Sequence, residues 1–259
     1  MTDSELKKAF SKGFANPQHL TDLLKRTDLP QDRLIDVRTN LSQAHISGKI
    51  TKEALQRFIS QLSKAKSLNQ FDQVHAELRH ANRLIESGVV AQNSLVFVSA
   101  KKGRQYDLGG TIVKIDPVHE ADALYLGTDG LIHLHEVKNT ATALRNKLQK
   151  KPAQLENMLD WRDQEPDKRE ITMVIGTEAG WTQLFAKPKG YRESTLEILS
   201  NNEISLMIGE YHLTVEQMQK LWYGMVNKAQ ELSMYPPRKE FFDLISTLDR
   251  ARKVGISWE

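Results

Sequence analysis

His119-Glu-Ala-Asp122-Ala-Leu-Tyr-Leu-Gly127-Thr-Asp-Gly130-Leu-Ile-His-Leu-His-Glu136-Val-Lys138 is the stretch whose reading decides the fold. It reads as two short strands joined by a Gly127–Gly130 turn, because glycine supplies the backbone conformations that tight turns need. Side chains alternate along a strand, so Glu136 and Lys138 face one side, with Ile132 and Leu134 deeper on the same face. The acid and the lysine therefore emerge at the end of a buried face, and His133 and His135 share the opposite one. Asp122 lies near the start of the first strand; whether it reaches Glu136 depends on the register, which alternation leaves open.

On the N-terminal side, residues 1 to about 68 read as helical. Leu6, Ala9, Phe10 and Phe14 follow helical spacing, as do Leu20, Leu23 and Leu24. Asn16-Pro17 and Leu29-Pro30 interrupt the pattern, and Thr51 is placed to cap a further helix. A longer helix is predicted over Phe71–Ser87, then a strand at Ser94–Ser99, a glycine-rich loop at 100–110 and a strand at Thr111–Ile115. On the C-terminal side follow a basic helix over 141–162, strands at Ile171–Gly176 and Ile204–Ile208, and helices at about 214–234 and 238–252. This order predicts an α/β (α+β) chain with a mixed sheet, divided into a helical region 1–68 and a domain 69–259.

The chain has 259 residues, 39% of them hydrophobic and 27% charged, which is an ordinary globular composition. No apolar run approaches the roughly 20 residues of a membrane span. The absence of cysteine excludes disulfides and thiolate metal sites. Met-Thr-Asp-Ser-Glu-Leu-Lys-Lys lacks the apolar core of a signal peptide. A cytoplasmic protein is expected, or one delivered into another cell's cytoplasm. The net charge of +3 is only mildly basic, but the positive residues cluster. Lys101, Lys102 and Arg104 precede the hairpin, and Arg145, Lys147, Lys150 and Lys151 follow it, where nucleic-acid phosphates would dock.

Two acids and a lysine on one hairpin suit chemistry at a phosphodiester. Mg²⁺ takes hard oxygen ligands and keeps several waters, and Asp122, Glu136 and the main-chain carbonyl of Val137 would supply three. The metal would lower the pKa of a bound water, and Lys138 would orient that water or stabilise charge developing on phosphorus. Glu77, on the preceding helix, is the acid best placed to complete the shell. The other acid-x-lysine triplet considered, Glu5-Leu6-Lys7, lies in a helical stretch and lacks the strand context.

With these residues in place, residues 70–210 resemble the PD-(D/E)XK nuclease superfamily, which has a restriction-endonuclease-like fold. Asp122 matches that superfamily's first acid, Glu136 and Lys138 its acid-x-lysine pair, and Glu77 the acid of its first core helix. Gln154 is similar to a glutamine that many members carry on the helix after the motif strand. The resemblance implies an α-β-β-β-α-β core and phosphodiester hydrolysis dependent on Mg²⁺ or Mn²⁺. Ala121 stands where the motif's proline would be. A helical region ahead of a nuclease is also similar to the toxin domains of contact-dependent inhibition systems. That likeness implies an acidic inhibitor protein as partner. DNA is the substrate expected first, and transfer RNA is the alternative. A reading from another class is a nucleic-acid-binding or scaffold protein without catalysis.

Other residues carry weaker signals. His119, His133 and His135 surround the acids, but no third ligand at fixed spacing makes them a zinc site. The glycine-rich run Lys101–Gly110 lacks the Gly-Lys-Ser/Thr ending of a phosphate loop, and Asp107 within it reads as a turn residue. Trp161, Trp181, Trp222 and Tyr223 sit at helical spacing and read as core rather than as base-stacking residues.

Overall fold

The computed structural model describes residues 2–11, 16–176, 181–184, 193–209 and 211–218. The chain is a mixed α/β protein with a helical N-terminal region. Trp222, Tyr223 and most of the helices expected after about residue 214 lie outside the described residues. No helix among the described residues is long and apolar enough to cross a membrane.

Four helices open the chain: α1 (Asp3–Ala9), α2 (Gln18–Leu24), α3 (Gln31–Ser47) and α4 (Lys52–Lys64). Pro17 and Pro30 occupy the N-cap positions of α2 and α3, since proline carries no N–H to be satisfied in a first turn. Thr51 caps α4, its hydroxyl accepting from the Ala54 N–H. Leu55, Phe58, Ile59 and Leu62 fall on one face of α4 and are buried. The long helix α5 (Leu68–Glu86) starts three residues before the predicted Phe71, because Ser67 caps it through the Gln70 N–H.

The strands are β1 (Phe97–Lys101), β2 (Gln105–Asp107), β3 (Ile112–Lys114), β4 (Glu120–Leu126), β5 (Ile132–Lys138) and β6 (Arg169–Ile175). The expected glycine-rich loop is instead half of a separate hairpin, in which β2 pairs with β3. Asp107 is a turn residue there, accepting from the Gly110 N–H. The helix predicted over 141–162 is two helices, α6 (Ala141–Lys150) and α7 (Pro152–Asp163). Pro152 causes the break: it clashes with a helical conformation at Lys151, whose φ is −135°. Then come α8 (Thr195–Asn201), β7 (Ser205–Ile208) and β8 (Tyr211–Leu213).

Two compact units result. The first comprises residues 1–139 and 156–172, and the second residues 140–155 and 173–259. In the first unit the sheet order is β1-β4-β5-β6, and β4 is antiparallel to both β1 and β5. The second unit orders β6-β7-β8, with β7 and β8 antiparallel. One hydrophobic cluster in the first unit runs from Leu6 and Phe10 through Leu41, Phe58, Phe71 and Leu78 to Val98, Ala123 and Tyr125 on the sheet. The helices of residues 1–68 and strands β1 and β4 therefore share one core.

Candidate functional site

The β4–β5 hairpin turns at residues 127–131, where the Gly127 N–H donates to Leu131 O and the Leu131 N–H to Asp129 Oδ1. Gly130 has φ +84°, which a residue with a side chain adopts only at a cost. The register pairs Ala123 with His135 and Leu124 with Leu134, which brings Asp122 level with Glu136. Strand β5 is buried along nearly its whole length, on both faces. His133 and His135 therefore lie inside the unit.

Glu136 is 2% exposed, and a carboxylate so buried needs a partner. The Lys138 ammonium supplies one, 2.6 Å from Glu136 Oε1. The same Nζ lies 3.4 Å from Asp122 Oδ2 and donates to Val137 O at 2.7 Å. Asp122 is held in turn by the Val137 N–H, which donates to its Oδ2 at 2.8 Å. Burial works against the Lys138 charge, but the carboxylates of Asp122 and Glu136 outweigh it and raise its pKa. Three oxygens, from Asp122, Glu136 and Val137, thus converge on one cation, and all are of the hard type that Mg²⁺ or Mn²⁺ takes.

Helix α5 brings the third acid. Gln73 Nε2 donates to Glu77 Oε1 and to Val137 O, each at 2.9 Å, while its Oε1 accepts from the Asn139 N–H at 3.1 Å. This one amide ties the helix to the end of β5. Burial first, and then repulsion from Asp122, push the Glu77 carboxyl up to about 8. It therefore holds its proton at neutral pH.

Helix α4 brings a second cation. Arg57 donates to the carbonyls of Ser99 and Val98 on β1, and its Nε is buried without a hydrogen-bond partner. Burial draws its pKa down, while Glu120, Glu77, Tyr106 and Asp122 all favour its charge. Ser99 lies between the paired positions Val98–Ala123 and Ala100–Ala121, at the level of Asp122, with φ 48°. A non-glycine residue with positive φ inside a strand is strained, and such strain gathers at working sites.

The opposite face of the hairpin holds a different network. His80 Nε2 lies 2.8 Å from His135 Nδ1, and His135 Nε2 lies 3.3 Å from the Tyr125 hydroxyl. Burial, then the Arg83 charge, push His80 down to about 3, so it is neutral.

The structure brings Asp122, Glu136, Lys138, Val137 and Glu77 together in the first unit. It places Gln154 on α7 in the second unit, with its Oε1 buried and without a hydrogen-bond partner. Lys101, Lys102 and Arg104 are exposed in the first unit, whereas Arg145, Lys147, Lys150 and Lys151 belong to α6 and its end in the second. Trp161 is fully buried and donates to Lys114 O, as a core residue. Gln73 and Arg57 escaped the sequence reading. Gln73 could have been found as the residue four before Glu77 on the same helical face; nothing in the sequence marks Arg57. Comparison of the chain with protein-family models, with curated proteins and with solved structures found no match.

Proposed function

We propose that the protein is a metal-dependent nuclease built on a restriction-endonuclease-like core. The observation that carries this reading is the convergence of Asp122, Glu136 and Val137 O on the Lys138 ammonium, with Glu77 tied to them through Gln73. Three acids crowded around one lysine are a poor device for stability, because buried charge is costly even when paired. They are a good device for holding a further cation against a phosphate. The element order α5-β1-β4-β5-α6/α7-β6, with the β2–β3 hairpin inserted, supports an α-β-β-β-α-β reading.

The donor set fits Mg²⁺ or Mn²⁺: Asp122, Glu136 and the carbonyl of Val137 would hold it. When bound, the ion would activate a water and offset charge on the phosphate. Asp122 is pre-oriented by the Val137 N–H, so its carboxylate needs little reorganisation. Lys138 carries donors to the place where negative charge develops on phosphorus. Burial and the neighbouring Asp122 keep the proton on Glu77, which limits repulsion among the three acids. Lys101, Lys102 and Arg104 offer phosphate contacts on the same unit, and DNA is the proposed substrate.

The test incubates the protein and its Asp122→Ala and Lys138→Ala variants with plasmid DNA and with total transfer RNA, in Mg²⁺, Mn²⁺ or chelator. The expected result is metal-dependent cutting of DNA that falls at least 100-fold in both variants. Cutting of transfer RNA alone would move the substrate class to RNA. No cutting of either by the folded wild type would leave a binding module.

A further inference from the structure

We propose that Asp129, His133 and Glu170 form a second divalent-cation site, distinct from the acid–lysine cluster, with Zn²⁺ as the ion its donors suit best. The three come from the hairpin turn, from β5 and from the start of β6, all in the first unit. His133 Nε2 lies 3.1 and 3.0 Å from the two Asp129 oxygens, and its Nδ1 lies 3.5 Å from Glu170 Oε2. One donor atom from each residue can be chosen so that all lie within 4.8 Å of one another. Donors around a tetrahedral zinc, with bonds of about 2.0–2.2 Å, stand roughly 3.3 Å apart. Through Nε2 one separation, that to Asp129, already matches; Glu170 faces the other ring nitrogen, and its carboxylate must swing in to share the ion. One imidazole nitrogen with two carboxylates is also a set that zinc accepts, leaving its fourth position for water.

Gly127 is what lets Asp129 and His133 meet against the turn. A Cβ there would stand 2.3 Å from Asp129 Oδ1 and 2.6 Å from His133 Nε2. Any other residue would push apart the atoms that must meet at the ion. The imidazole is fixed from behind by Tyr125, whose ring stacks on it at 4.9 Å and 11°. The His133 side chain is 10% exposed, while those of Glu170 and Asp129 are 28% and 52% exposed. The nitrogen donor is thus held rigidly and the oxygen donors stay open to solvent, from which an ion approaches. Two carboxylates against one imidazole also leave negative charge in surplus when the ring is neutral.

Without an ion, His133 bridges the two acids through its two ring nitrogens; with one, a single nitrogen and both carboxylates would turn to the metal. Titration calorimetry with Zn²⁺ at pH 7 on untagged full-length protein distinguishes the two states. The wild type and the Asp122→Ala variant are expected to bind one Zn²⁺ here with the same affinity, because Asp122 belongs to the other cluster. His133→Gln and Glu170→Gln are each expected to weaken it ten-fold or more. If His133→Gln does not fold, Glu170→Gln carries the test, since it alters only a partly exposed carboxylate. Equal Zn²⁺ binding by Glu170→Gln and wild type would overturn the proposal, as would no binding by wild type. The readout needs no cleavage, so a failure of the nuclease reading leaves it untouched.

Discussion

The two faces of the β4–β5 hairpin both bury polar groups, but they do so in opposite ways. On one face, Glu136, Asp122 and Lys138 are charged, and Glu77 is added to a group that already has enough acid. On the other, His80, His135 and Tyr125 form a chain in which neutral His80 meets His135 and His135 meets the phenol. Such a hydrogen-bonded chain specifies a packing arrangement without calling for a further charge, although His80 Nδ1 is buried without a partner among the described residues. A surplus of buried acid does not satisfy itself, and a further cation is what the proposed metal would supply. The charged face is the one to which the proposed cleavage belongs, whereas the His80–His135–Tyr125 chain carries no charge surplus of its own.

The sharpest way to break this contrast is Lys138→Met. Removing one partner of a buried ion pair typically costs about 3–5 kcal/mol, and here it leaves Glu136 facing Asp122. The denaturant midpoint is expected to fall steeply, and Mn²⁺ is expected to restore part of the loss by taking over the missing charge. A variant as stable as wild type would mean the cluster is not the charged centre described. A smaller effect should come from the other face. His135→Leu strands the His80 nitrogen, at a cost of about 1–3 kcal/mol, whereas His80→Leu with His135→Leu should cost less than the single change. If the double variant loses cleavage while staying folded, the imidazole face has a share in the chemistry.

A pH dependence is expected at Glu77. Its folded pKa of about 8 lies above the ordinary 4.5, so the folded state prefers the protonated acid. No cost exists below pH 4.5, where both states are protonated; it accumulates up to about pH 8 and is constant above. Glu77→Gln should therefore gain thermal stability over wild type as pH rises through that window, and none at pH 4. A gain that does not vary with pH would show that Glu77 ionises normally in the fold.

The hairpin was legible because glycines mark its turn and alternation marks its strands. Its register was not, since alternation is satisfied by any shift of two residues. Asp122 was brought level with Glu136 by tertiary pairing alone. The β2–β3 hairpin was hidden because Gln105-Tyr-Asp107 is short and largely polar. The break at Lys151 was readable from Pro152, yet the apolar period across it suggested a single helix. Alternation leaves open whether His133 and His135 are exposed or buried, because nothing local says that β5 is covered on both faces. Arg57 was hidden for the same reason: its partners are main-chain carbonyls some forty residues away in sequence.

The cluster running from Leu6 to Tyr125 has a consequence for how this chain can be cut or shuffled. Removing residues 1–68 would strip the apolar cover from Val98, Ala123 and Tyr125 and take away Arg57, which grips β1 beside Asp122. Each large core side chain laid bare forfeits about 1.5–3 kcal/mol, and several would be exposed at once. The helical region is thus no detachable cassette. A gene fusion or natural recombination with its seam near residue 68 would carry away half a core and leave the remainder without a fold to inherit.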